Sequence, residues 1–267
     1  MTGTLLTRQA FEAARRFLET SARPLEIARF RHAFTGGPSE AVFVALTQYQ
    51  NLDGGFGHAL EPDLRAPESS AVCTSLAFQA MRATRAQPPD GLVSAALTYL
   101  LDTLDRQEVH WRIIPRSAQQ SPHAPWWNQT GREGSFDSFS LNPTAEILGY
   151  LYDWQALVPP DLLALVSDRV ISAILSLEQI EMHDLLCCLR LLKTKALPAS
   201  LLEQLRQKLA YLIDRTVAQD PTLWQGYSLR PLQVVEEPGS WFMTGLEQAV
   251  AANLDFEIAS QASDGSW

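Results

Sequence analysis

The sequence predicts an all-helical protein, and three observations predict it. Apolar residues recur at helix-face spacing through most of the chain, as in Leu163, Val166, Val170, Ile174 and Leu177 and again in Leu202, Leu205, Leu209 and Leu212. Helix start signals agree with that period. Ser200 with Glu203 three residues on reads as a capping box, and Asn142 before Pro143 reads as a cap followed by proline at the first helical position. The third observation is a repeated corner. Gln50-Asn51-Leu52-Asp53-Gly54-Gly55-Phe56 returns as Gln261-Ala262-Ser263-Asp264-Gly265-Ser266-Trp267, each copy following an amphipathic stretch. Asp-Gly makes a turn because glycine takes positive φ freely and the aspartate bonds its own backbone. The glutamine can bond backbone groups freed at the helix end, and the aromatic can lie over its amide. A repeated helix-to-helix corner predicts a closed array of helical hairpins.

In chain order the spacing predicts helices over 7–21, 24–33, 39–50, 69–84, 91–105, 142–154, 161–177, 181–195, 199–217 and 240–252, with a partial one over 255–262. The fourth carries Leu76, Ala77, Ala80 and Met81 on one face. Only Val109 to Ile114 suits a short extended piece. Two segments resist the helical pattern: 51–68, made of glycine, proline and charge, and 107–141, with His110, Trp111, Arg112, His123, Trp126, Trp127 and Asn128. Long loops without regular structure inside compact domains are often functional.

Composition bounds the function. Over 267 residues, 46% hydrophobic content fills a core, and no Ser/Gly-rich linker or block of one charge divides the chain, so a single domain over 1–267 is expected. With 21 basic against 30 acidic residues the net charge is −9, which opposes phosphate backbones and makes nucleic acid an unsuited partner. No run of about 18 apolar residues predicts a membrane span. The start, Met1-Thr2-Gly3-Thr4-Leu5-Leu6-Thr7, lacks the basic-then-apolar layout of a secretion signal, and three cysteines, Cys73, Cys187 and Cys188, suit a reducing cytoplasm better than a disulfide framework.

The corners resemble the glutamine-tryptophan repeats of the terpenoid cyclase and protein prenyltransferase superfamily. The first copy extends the likeness through Gly54-Gly55-Phe56-Gly57, Glu61-Pro62-Asp63-Leu64-Arg65 and the small-residue-rich helix from Ser69 to Met81, because prenyltransferase β-subunits carry a similar Asp-Gly-Gly-Phe element, acidic-Arg stretch and helix. The resemblance covers about 38–82 and the last seven residues. It implies an (α/α)6 toroid of helical hairpins in two concentric rings around a cavity, and a small apolar, isoprenoid-type ligand. The predicted helices fall one short of the twelve such a ring implies, and a corner leads into a further helix, so a missing last helix is expected. The family's chemistry does not carry over whole. The Asp-x-Asp-Asp acid of class II cyclases is absent, as is the Asp-x-Cys of zinc-dependent prenyltransferases, and the central helices offer few Lys or Arg residues for a diphosphate. His183 and Cys187, four apart on a helix with Asp184, are the nearest approach to a metal pair, and otherwise an inner polar patch. No metal and no cofactor are expected.

The densest ionisable cluster is Glu61-Pro62-Asp63-Leu64-Arg65 with His58 and Glu68. A carboxyl in an apolar cavity has its pKa raised and can act as an acid, which makes Asp63 and Glu61 the catalytic candidates and His58, Arg65 and Glu68 the binding ones. Alternatively, Asp63 and Arg65 brace the loop onto the following helix. Trp111, Trp126 and Trp127, with Trp224, Tyr227 and Trp241, either line a cavity or wedge between helices. Asn142 and Glu146 start a largely apolar helix, where a carboxylate serves the helix dipole or points into a cavity. No phosphate-binding loop, dinucleotide fingerprint or Gly-x-Ser-x-Gly elbow occurs. Three readings of function follow. One is a terpenoid-cyclase-like or prenyltransferase-like protein holding an apolar ligand near 58–68. Another is a carbohydrate-active toroid, with tryptophans stacking on sugar rings and Glu61 or Asp63 paired with Glu146 as acid and base. The last is a non-catalytic scaffold or heteromer subunit, in which case the protein is an oligomer.

Overall fold

The computed structural model describes residues 5–132 and 134–267. Among them the regular structure is entirely helical: α1 Arg8–Ser21, α2 Pro24–Thr35, α3 Ser39–Thr47, α4 Ala71–Ala83, α5 Asp90–Thr103, α6 Leu141–Asp153, α7 Pro160–Ser176, α8 Met182–Leu191, α9 Ala199–Thr216, α10 Pro231–Val234 and α11 Glu247–Ala259, with short 3-10 turns between. Isolated β-bridges occur, but no strand is formed among the described residues. No helix there is long and apolar enough to cross a membrane.

Most predicted helices are present within a residue or two of their expected bounds, and the departures have local causes. Pro198 is the N-cap of α9 and makes no side-chain bond, so Ser200 lies inside the helix and the expected capping box with Glu203 does not form. The stretches 240–252 and 255–262 are not two helices. Gly245, at φ 89°, separates a 3-10 turn at Trp241–Met243 from the single helix α11. The turn of helix α10 was not expected. Val109–Ile114 makes no strand: Val109 sits at φ 53° and Asp105 and His110 form an isolated bridge. At the start of α6 it is Ser140 whose hydroxyl accepts from the Asn142 N–H, and Asn142 itself is extended (φ −95°, ψ 112°) before the cis bond to Pro143. Proline crowds the residue before it out of the helical region, so regular helix begins at Pro143.

Burial sorts the helices into two layers. Inner helices α4 and α6 are buried nearly all round: Ala71, Val72, Cys73, Thr74, Ser75, Ala77, Phe78, Ala80 and Met81 in one, and almost every residue from Leu141 to Tyr152 in the other. Helix α8 packs closely along α6, helped by Gly149, where an added Cβ would lie 2.6 Å from Thr194 Oγ1 and 3.3 Å from Leu191 Cα. Outer helices α3, α5, α7 and α9 bury one face only, as their apolar period predicts. One hydrophobic cluster runs from Leu25 to Val250. At the C-terminal ends of the inner helices Arg82 of α4 ties three of them together. It pairs with Asp153 at 2.5 Å, donates to the Arg190 carbonyl at 2.8 Å and lies 4.5 Å over the Tyr150 ring, which stacks on Phe78.

The two corners are the same device. The Gln50 amide donates to Gly54 O within its corner (2.9 Å) and to Leu92 O of α5 (3.2 Å); the Gln261 amide donates to Gly265 O (3.2 Å) and to Ala10 O of α1 (2.9 Å). Asp53 accepts from the Gly55 N–H and Asp264 from the Ser266 N–H, both at 3.0 Å. Each central glycine has positive φ and lies against a backbone three residues beyond the bonded carbonyl: a Cβ on Gly54 would stand 2.2 Å from Ala95 O, and one on Gly265 2.4 Å from Ala13 O. The aromatics differ. Phe56 is wholly buried, whereas Trp267 is exposed and its indole N–H caps the Glu257 carbonyl of α11. The second corner therefore seats the end of α11 on α1 as the first seats the end of α3 on α5.

These contacts make a prediction. Gly54→Ala combines an αL alanine with a backbone clash and should lower stability by about 3 kcal/mol. Gly265→Ala should instead release 261–267 from α1 with a smaller loss, read as earlier proteolytic cleavage near that corner and faster amide exchange around Ala10–Ala14.

Candidate functional site

The N-terminal ends of α2 and α4 meet the 51–68 loop, and those of α6 and α8 meet each other. Arg23, the N-cap of α2, reaches across to this loop. Its Nη1 donates to Ala59 O at 2.5 Å and Nη2 approaches Leu60 O at 3.5 Å, while Nε and Nη2 hold the Glu26 carboxylate at 3.0 and 2.6 Å. Two consecutive residues of the loop, His58 and Ala59, have positive φ (53° and 62°), a strained arrangement that the guanidinium fixes by its carbonyl contact. Glu61 is half-buried, and burial raises its pKa. Asp63 adds to that rise, while the Asp63 backbone N–H (3.3 Å), Arg23 and His183 oppose it. The Cys73 thiol of α4, beside Glu61, is pushed up by burial as well.

Behind this edge lies a second acidic group that is fully engaged. Glu146 is only 2% exposed. Its carboxylate accepts from Ser75 Oγ, from Gln79 Nε2 at 3.0 Å on both oxygens and from Arg190 Nη1 at 3.2 Å, which joins α4, α6 and α8. One turn before it, the Asn142 N–H donates to Asp184 at 2.8 Å and its side-chain oxygen receives the Cys187 thiol at 3.5 Å. Burial raises the pKa of Asp184 against the Asn142 N–H. Burial likewise holds Cys187 well above the ordinary thiol value. Among the described residues no three His, Cys, Asp or Glu side chains converge as a metal ion requires. His183 and Cys187 part company accordingly: the thiol turns inward to Asn142, and the imidazole turns out to Glu181 and Tyr227.

The structure separates the sequence candidates. Asp63 and Arg65 are exposed and form no ion pair with each other among the described residues, so they are not the expected brace. Their backbones carry the contact instead. Asp63 O accepts from Ala124 N–H at 2.8 Å, the Arg65 N–H donates to Pro122 O at 2.9 Å, and Leu64 bridges His123. This joint seats the tryptophan loop beside the acidic one. Trp126 is 58% exposed on it, while Trp127 is half-buried against Phe136. Trp111 lies in the core: it is buried and donates to Leu100 O at 2.6 Å. Trp224 is likewise buried, donating to Ala218 O. His58 turns to Asn51 Oδ1 at 2.7 Å, and Glu68 is exposed. Two cavities lie elsewhere. One of about 270 Å³ is bounded by Phe30, Phe34, Val42 and Ala80, and one of about 260 Å³ by Ser70, Tyr99, Thr103 and Arg112.

Sequence reasoning missed Arg23, Ser75, Gln79 and Arg190. They share no local pattern: Arg23 is the N-cap of α2, Ser75 and Gln79 lie in α4, and Arg190 lies near the end of α8. The comparisons add no relative. No family model, no curated protein and no solved structure matches this chain.

The geometry predicts opposite outcomes for two carboxyl substitutions. Glu146→Ala leaves Arg190 with its inward partner gone and should cost about 3 kcal/mol, whereas Glu61→Gln should stabilise. Because folding raises the Glu61 pKa, its favourable share of stability exists below its unfolded pKa and is lost as pH rises through the folded one. Melting curves should therefore show Glu61→Gln above the parent protein at pH 7 and level with it at about pH 3.

Proposed function

We propose that the helices form an (α/α)6-type toroid and that its polar end binds a hydroxyl-rich ring substrate of the saccharide class, with Glu61 as proton donor. One observation carries the reading: a half-buried carboxyl whose pKa burial raises stands beside a joint that presents an exposed tryptophan. Saccharide rings offer C–H faces to an indole and hydroxyls to carboxyl, amide and guanidinium groups, and cleavage of a glycosidic bond needs a proton for the departing oxygen. The surroundings support it. Asn142, Asp184, His183 and Tyr227 supply polar atoms at this end, and the aromatic side chains there, Trp126 and Tyr227, are exposed rather than walling an apolar pit. An isoprenoid-type ligand, the other reading, draws its support from the likeness of the corners, and those corners serve as helix joints.

The test is a thermal-shift panel of neutral oligosaccharides, uronate oligosaccharides and geranylgeranyl diphosphate. A saccharide should raise the melting temperature, and Trp126→Ala should weaken that binding about 3- to 10-fold. On a cleaved glycoside Glu61→Gln should lower kcat by about 10²-fold or more. Stabilisation by the isoprenoid alone would overturn the reading.

A further inference from the structure

We propose that the cavity between the C-terminal parts of α2 and α4 binds a small aromatic carboxylate, its ring against Phe30 and Phe34 and its charge on Arg29. The inference stands apart from the saccharide reading, which concerns the surroundings of Glu61.

The cavity follows from side-chain size. Glu26, Arg29, Phe30, Ala33 and Phe34 recur at helix-face spacing, so one face of α2 carries all five. Across the space α4 presents Ala80 and Ala83. Alanines from both helices leave about 270 Å³ unfilled, with Val42 of α3 as a third wall. Phe30, Val42 and Ala80 are buried, while Arg29, Ala33, Phe34 and Ala83 are exposed. The space is therefore apolar within and opens to solvent beside a charge. Phe34 is 66% exposed, yet its ring is held 5.3 Å from that of Phe30 and 6.0 Å from that of Phe11. A fixed aromatic wall covered by water is stabilised when an apolar ring displaces that water. The volume lies just below the roughly 300–1,000 Å³ of drug-sized sites, which suits a ligand of one or two rings.

Charge selects the sign of the ligand. The carboxylate on the wall, Glu26, is already matched, because Arg23 Nε and Nη2 hold its two oxygens at 3.0 and 2.6 Å. Arg29 makes no hydrogen bond or ion pair among the described residues, so its planar fork of N–H groups is unspent. His32 adds a second positive charge. Its Nδ1 lies 2.9 Å from Gly37 O and its Nε2 3.0 Å from Thr84 O. A carbonyl oxygen only accepts, so both contacts are hydrogen bonds only when both ring nitrogens carry a proton. The same ring spans from the turn after α2 to the C-cap of α4 and so fixes the separation of the two main walls. On a chain of net charge −9 the result is a local excess of positive charge beside apolar surface. A carboxylate paired with the Arg29 fork, its ring laid on Phe34 and the alanines, uses both. A neutral ring uses the apolar part alone.

The test uses the full chain with 2-naphthoate and its neutral counterpart 2-naphthamide, titrated by calorimetry and located by NMR of the alanine methyl groups. Naphthoate should bind about 10-fold tighter than naphthamide, the size of one charge-assisted pair. Arg29→Gln should erase that ratio by weakening naphthoate alone. Arg29 has no partner in the fold, so its melting temperature should stay at the parent value. Ala33→Leu, at an exposed position, should occupy the space and weaken both probes about 10-fold or more. Shifts on binding should centre on Ala33, Ala80 and Ala83. Equal affinity for the two probes, an unchanged ratio in Arg29→Gln, shifts centred elsewhere, or binding of neither probe at millimolar concentration would overturn the proposal. An oligosaccharide that binds near Trp126 leaves each of these outcomes as it was, so the two readings fail separately.

Discussion

The architecture depends on a glutamine amide that serves two masters. Its N–H groups close the turn that ends one helix and at the same time hold a carbonyl of another helix, so that a local turn and a long-range contact are one object. Glycine at the centre is what permits it. Only a residue without a Cβ tolerates both positive φ and a neighbouring backbone at that distance. The aspartate supplies the third part, satisfying the N–H that follows the glycine. Because the amide bonds backbone and not side chains, the docking is indifferent to the sequence of the helix that receives it, and α5 and α1 accept it equally.

That indifference explains how much could be read from sequence. Helix positions follow from apolar period, and the corners follow from five residues that form their own hydrogen bonds, so both are local properties. The places where reading failed are those where a residue's role is decided by something distant. Ser200 and Glu203 form an acceptable capping pair in isolation, but Pro198 starts α9 earlier. Trp111 is on an irregular segment and reads as a ligand contact, whereas the α5 carbonyl at Leu100 takes its indole inside the core. Glu146 and the ion pair expected of Asp63 and Arg65 show the same thing from the polar side. The partner of Glu146 is Arg190, far along the chain, and the partner that steadies the acidic loop is Arg23, which no local pattern connects with residues 59 and 60.

The polar groups of the inner layer divide between its ends according to what each end must do. At the C-terminal ends Arg82 satisfies a carboxylate, a carbonyl and an aromatic face at once, and every partner is internal. At the N-terminal ends the same layer keeps Glu146 sealed and Glu61 half open. One guanidinium neutralises the first, and another stands near the second while spending its hydrogen bonds on Glu26 and backbone carbonyls. Charge neutralised from within stabilises packing; charge left partly unmatched at an edge remains free to exchange a proton.

The seat of Gln261 on Ala10 joins positions separated by 251 residues. Loop-closure entropy grows only with the logarithm of length, about 0.6 kcal/mol for each doubling, so a link across this span is scarcely harder to make than one across half of it. Its timing is different. On the ribosome the receiving helix is made first, and the amide that docks on it follows 251 residues later.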